Sequence, residues 1–108
     1  MSAAFDDAMV SIYKRAKDET GYIASYFIQM VSELGGLEAA QQLIRSQAPS
    51  EGFTTLWEKG RLDLIEEYHV LLPKFEHLFD RREREIAYRR LKDYGFDVSV
   101  FDRMEDPV

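Results

Sequence analysis

Two histidines, His69 and His77, stand among the acids Glu66, Glu67, Glu76 and Asp80. Imidazole and carboxylate groups are ligands for zinc and manganese, and two on one helix can meet the same ion when they sit three or four residues apart. Glu66 with His69, and His77 with Asp80, have that spacing. A metal site needs both pairs to converge. Pro73 lies between them, so convergence depends on the turn made there. No His-Glu-x-x-His run is present. The competing reading, two solvated or hydrogen-bonded imidazoles, needs no special geometry. It is the expectation, with no metal and no other cofactor assigned. A metal-dependent protein using this His/Glu/Asp cluster is the alternative.

Covalent catalysis has less to build on. The chain has no cysteine, no Gly-x-Ser-x-Gly elbow and no phosphate-binding glycine loop. Glu66 with Glu76 could form an acid–base pair, but carboxylates on amphipathic helices usually face solvent. No catalytic residue is assigned, and the expectation is a protein that is not an enzyme.

The remaining chemistry is that of recognition. Residues 81–92 carry six basic groups (Arg81, Arg82, Arg84, Arg89, Arg90, Lys92) against Glu83 and Glu85, a local +4. The whole chain has a net charge of −6, which leaves −10 for the rest. On a helix Arg82, Glu85, Arg89 and Lys92 share one face. Arg81–Glu85 and Glu85–Arg89 have the spacing of ordinary intrahelical ion pairs. The alternatives are a salt-laced exposed helix and an arginine patch that meets an acidic surface. The acidic surroundings disfavour nucleic acid as its partner. Phe53 and Trp57 are four apart with Leu56 between them, and Tyr22 and Tyr26 repeat that spacing. Such residues make either core or an apolar patch for a partner helix or a second copy of the chain. The expected contact residues are Arg82, Arg89, Arg90, Lys92, Trp57, Glu66 and His69.

These side chains must be positioned by helices. The chain of 108 residues is long enough for one core without staples. Its 45% hydrophobic content argues against disorder, and the lack of cysteine fits a reducing compartment. No secretory leader is visible, and no apolar run approaches the roughly 18 residues that span a bilayer. A cytoplasmic protein without a membrane segment is expected. Ser2 is placed to cap a first helix over about 3–18, with Phe5, Met9, Ile12, Tyr13 and Ala16 as its apolar face. The wide apolar face of a helix over 22–34 marks it as the most buried, ending at Gly35. Further helices are expected over 37–46, 51–59 capped by Ser50, and 64–71 capped by Asp63. Phe53, Leu56 and Trp57 of the fourth point inward. Pro73 opens an apolar turn with Phe75, Leu78 and Phe79. Asp80 and Glu83 form a capping box for a helix over 81–94. Phe96, Val98, Val100 and Phe101 alternate with polar residues, as in a short extended segment. Residues 102–108 read as a flexible acidic tail. The fold expected is all-α, a compact orthogonal bundle of six or seven short helices in a single domain over 1–101.

Three stretches carry a family resemblance: Gly36-Leu37-Glu38-Ala39-Ala40, Gly52-Phe53-Thr54-Thr55-Leu56-Trp57-Glu58-Lys59-Gly60-Arg61-Leu62-Asp63-Leu64, and Arg90-Leu91-Lys92-Asp93-Tyr94-Gly95-Phe96. They resemble a family of small uncharacterised bacterial helical proteins over roughly residues 10–97. The resemblance implies a bacterial or phage origin and brings no functional residues with it. The function expected is a protein–protein interaction module, a small subunit or adaptor of a bacterial assembly. An acidic phage-type inhibitor of a nucleic-acid-processing protein is the second reading.

Overall fold

The apolar spacing near the start of the chain forms α1 (Ala3–Thr20) in the computed structural model, which describes residues 3–104. Phe5, Met9, Ile12 and Ala16 are its buried face. The expected cap Ser2 and tail residues 105–108 lie outside the described residues. Four short helices follow: α2 (Ser25–Leu34), α3 (Gly36–Arg45), α4 (Glu51–Glu58) and α5 (Glu66–Val70). A 3₁₀ turn over Leu62–Leu64 precedes α5, and a 3₁₀ helix over Pro73–Leu78 follows it. Then come α6 (Arg81–Asp93) and α7 (Ser99–Met104). The fold is all-α, with no strand among the described residues. No helix among them is long and apolar enough to cross a membrane.

Caps start α4 and α6 where the sequence places them. The Ser50 side chain accepts from the Phe53 amide at 3.2 Å. Asp80 accepts from the Glu83 amide at 2.7 Å, while Glu83 reaches back to the Asp80 amide at 3.0 Å. Helix α3 is capped from a distance. Its flanking Gly35 has no side chain to offer, and Asp6 of α1 accepts from the Gly36 amide at 2.7 Å. This contact pins α1 to the start of α3 and leaves no room beside Gly36. A Cβ there would lie 2.8 Å from Asp6 Oδ1 and 3.0 Å from the Asp6 Cα. Because the second atom is backbone, relief requires the helices to separate. Gly36→Ala is expected to cost about 1–3 kcal/mol in denaturant unfolding, the range for overpacking a tight contact. Gly36→Ala as stable as the parent would refute the close crossing.

Two apolar clusters fill the interior. One joins Phe5, Met9 and Ile12 of α1 to Ile44 of α3, Val70, Phe75 and Phe79. The other gathers Ala16, Phe53, Leu56, Leu64, Leu91 and Phe101. Between them lies α5, packed against α6, α1 and α3.

Four expectations are corrected. Helix α2 starts at Ser25 rather than 22 and is not the most buried: Met30 and Val31 are buried and Phe27 and Ile28 half-buried, while Tyr26 is 72% exposed and Ile23, just before the helix, 54%. It packs on α1 and α3 from the edge, so its apolar face is wider than the surface that receives it. Trp57 does not point inward; it is 44% exposed, with Phe53 and Leu56 buried beneath. Asp63 does not cap α5, whose flanking residue is Ile65; it pairs with Arg61 at 3.0 Å instead. The segment after Gly95 is not extended. Asp97 accepts from the Ser99 amide and hydroxyl, and the chain turns there into α7, which runs three residues past 101 and buries Phe101.

Candidate binding site

The short helix α5 begins with two glutamates, and both are inside. Glu66 is 4% exposed and Glu67 fully buried. An acid near a helix N-terminus is favoured by the dipole, but that term is a fraction of the cost of burying a charge. A counter-ion is needed, and α6 provides it. Arg90 Nη1 donates to Glu67 Oε2 at 3.0 Å and to the Leu43 carbonyl at 3.0 Å. Its Nη2 donates to the Ser46 carbonyl. One guanidinium thus neutralises Glu67 and satisfies carbonyls at the end of α3, where a cation also suits the dipole.

Glu66 has no such partner. Its Oε1, like Glu67 Oε1, is buried with no donor from the protein. Burial, then the neighbouring Glu67 carboxylate, pushes Glu66 well above the ordinary carboxylate range, against a smaller opposing effect of Arg90. The stable arrangement of two adjacent carboxyls facing one arginine is a single proton held on Glu66. Its effect on stability has a definite sign. From the ordinary value of 4.5 up to the raised one, the folded chain binds more protons than the unfolded chain. Stability is therefore lost as pH rises through that window, by up to about 1.4 kcal/mol per pH unit for one proton. Glu66→Gln keeps the shape without the titration. It is expected to flatten the fall in urea midpoint as pH rises above 4.5. An equal slope in parent and variant would place the proton elsewhere.

Glu66 also contributes to the wall of a cleft of about 350 Å³. Ile12, Tyr13 and Ala16 come from α1, and Leu56 from α4. Tyr22 to Phe27 bring the entry to α2, and Ser50, Glu51 and Gly52 the start of α4. The cleft exists because Gly21, at φ 80°, turns the chain away from α1 before α2 begins. The Tyr22 hydroxyl lies close to Gly52, and burial, followed by the charge of Glu51, raises its pKa. Glu51 therefore acts on this space from its rim. Exposed Ile23 and Tyr26 also belong to the lining. The volume and mostly apolar lining are those of a site for a small organic group or an inserted side chain.

The residues expected to make contact are dispersed. Arg82, Arg89 and Lys92 are exposed on α6 and make no ion pair among the described residues, while Glu85 pairs with Arg81 at 3.1 Å. Arg82 and Arg89 border a more open depression between α6 and the end of α3. Arg90 lines the floor of the same depression but is nearly buried, its guanidinium turned to Glu67. Glu66 is likewise buried, and lies in the wall of the cleft rather than beside the basic stripe. Trp57 is held at the surface by its Nε1–H, which donates to the Tyr94 carbonyl at 2.9 Å, and by edge-on packing against the Tyr94 ring. His69 is half-buried. Its Nδ1 lies 3.1 Å from the Ile65 carbonyl, and burial lowers its pKa. Asp80 is engaged as a cap, and His77 is exposed on the 3₁₀ helix. No three His, Asp or Glu side chains among the described residues gather where they could hold a metal ion. Sequence reasoning missed the cleft and the Glu67–Arg90 pair. The available signal was two consecutive acids between Ile65 and Tyr68 in a strongly apolar stretch.

In comparisons with known proteins, the chain matches no family model, no curated protein and no solved structure.

Proposed function

We propose that this protein is a non-enzymatic interaction module, a small subunit or adaptor that binds another protein through the cleft between α1, α2 and α4. One observation carries the reading: Tyr26 and Ile23, 72% and 54% exposed, line an apolar cleft. Large apolar side chains scattered singly on a surface need no explanation, but two beside a concave apolar space form an anchor site. The residues that line it are rings and aliphatic chains, which supply contact area to a partner, with few groups suited to chemistry. The basic stripe Arg82, Arg89 and Lys92 would steer an acidic part of that partner and affect its association rate more than its final affinity.

Affinity capture from a lysate of the source organism, with and without nuclease, tests the reading. A stoichiometric protein partner that survives nuclease is expected. Ile23→Asp with Tyr26→Ala should reduce its recovery at least about tenfold, since a charge in an apolar contact is left unpaired. Thermal unfolding of the variant should match the parent, because both side chains are exposed. Equal recovery by parent and variant, or loss of all captured protein with nuclease, would overturn the proposal.

A further inference from the structure

The residues around the cleft also bear on the chemistry of the group that enters it. We infer that the cleft receives a basic side chain, lysine or arginine, of the partner protein, with its aliphatic stem along Ile12 and Ala16 and its charged head among the tyrosines, Glu51 and Glu66. This deepens the proposed function and rests on it.

The argument is one of charge and surface. Among the described residues no lysine, arginine or histidine lines the cleft, while Glu51 and Glu66 both do. Three tyrosines, Tyr13, Tyr22 and Tyr26, line it with Phe27. Aromatic faces attract cations, most strongly where water is excluded. The first turn of α2 lines the same space and carries a partial positive charge of roughly half a unit, which on its own favours an anion. Glu51 bears a full negative charge at the rim, and Glu66 has a buried oxygen with no donor. The full charge of Glu51 exceeds the half charge of one helix terminus, and Glu66 offers an oxygen without a donor, so the preferred occupant is a cation. The stem matters as well: a lysine or arginine side chain buries its methylene groups along apolar surface while its head stays polar.

Glu66 gives the site a second property. Empty, it holds its proton because of burial and the neighbouring Glu67 on its own helix, against the opposing charge of Arg90 on α6, with Tyr13, Tyr22 and Glu51 lining the same cleft. A cation placed beside it favours the carboxylate, so binding releases a proton and tightens as pH rises.

The test uses the full chain and two short blocked peptides, one with a central lysine and one with norleucine, which has the same stem without the charge. Binding is followed by NMR shifts at millimolar peptide. The lysine peptide is expected to shift Tyr22, Tyr26 and Glu51, and to bind about tenfold more tightly than the norleucine peptide. Glu51→Gln should remove most of that difference and leave norleucine binding unchanged, whereas Glu66→Gln should abolish the pH dependence. Equal affinity for both peptides at the cleft would overturn the cationic anchor while leaving an apolar partner site intact. Neither peptide shifting the cleft would overturn the inference. Capture of a partner lost with Ile23→Asp and Tyr26→Ala would still uphold the proposed function.

Discussion

Arg90→Met is expected to destabilise the fold by about 3–5 kcal/mol, the range for removing one member of a buried ion pair. The loss has two sources. Glu67, fully buried, would be left with an uncompensated charge beside Glu66. The carbonyls of Leu43 and Ser46 would lose the guanidinium that serves them at the end of α3. Methionine replaces the stem and none of the donors. Urea or guanidinium unfolding reads the effect. Arg82→Met and Arg89→Met, on exposed positions of the same helix, are the controls and should stay within about 0.5 kcal/mol of the parent. Adding Glu67→Gln to Arg90→Met should recover part of the loss, because it removes the stranded charge while the carbonyls stay unserved. Arg90→Met as mild as Arg89→Met would show that the pair contributes nothing, and with it would go the account of why α5 can start with two acids inside.

Phe5→Ala should cost a similar amount, about 3–5 kcal/mol, as a large side chain removed from a filled interior. Phe5 is fully buried only two residues into the described chain, and its ring meets Phe75 edge-on at 5.0 Å and Phe79 at 5.2 Å. Those contacts join the first turn of α1 to the 3₁₀ helix over Pro73–Leu78 and the residue after it. Alanine would leave a cavity where two helices and a 3₁₀ segment meet, so local collapse cannot fill it cheaply. A lowered denaturant midpoint with an unchanged slope is the expected reading. A loss below about 1 kcal/mol would mean that the start of α1 is only loosely docked and its burial contributes little.

Glu66 links the two halves of the functional argument. The proton it holds makes the fold less stable as pH rises, and the same proton is displaced when a cation enters the cleft. Folding and binding thus respond to pH in opposite directions through one carboxyl.

Most of the helices were legible in the sequence because their causes are local. Phe5, Met9, Ile12 and Ala16 repeat at helical spacing whatever they pack against. Ser50, Asp80 and Glu83 cap through bonds three residues long. Gly21, Gly35 and Pro73 punctuate the chain through their own backbone preferences. The extended reading of Phe96 to Phe101 failed on a local feature as well: the Asp97 side chain turns the chain into α7, and in so short a segment an alternating pattern is a weak guide.

What only the tertiary structure decided is which apolar and charged residues face one another. Tyr26 and Ile23 resemble any core residue in sequence. They remain exposed because α2 lies at the edge of the bundle, where its apolar face exceeds the surface of α1 and α3. Glu66 and Glu67 resemble solvated acids, and Arg90 a member of an exposed basic patch. They are buried because an arginine 23 residues further along meets Glu67 across the packing of α5 on α6. Periodicity and capping act within a few residues and can be read in order along the chain. Charge pairing and the shape of a cleft depend on distances between segments that the order of residues does not contain.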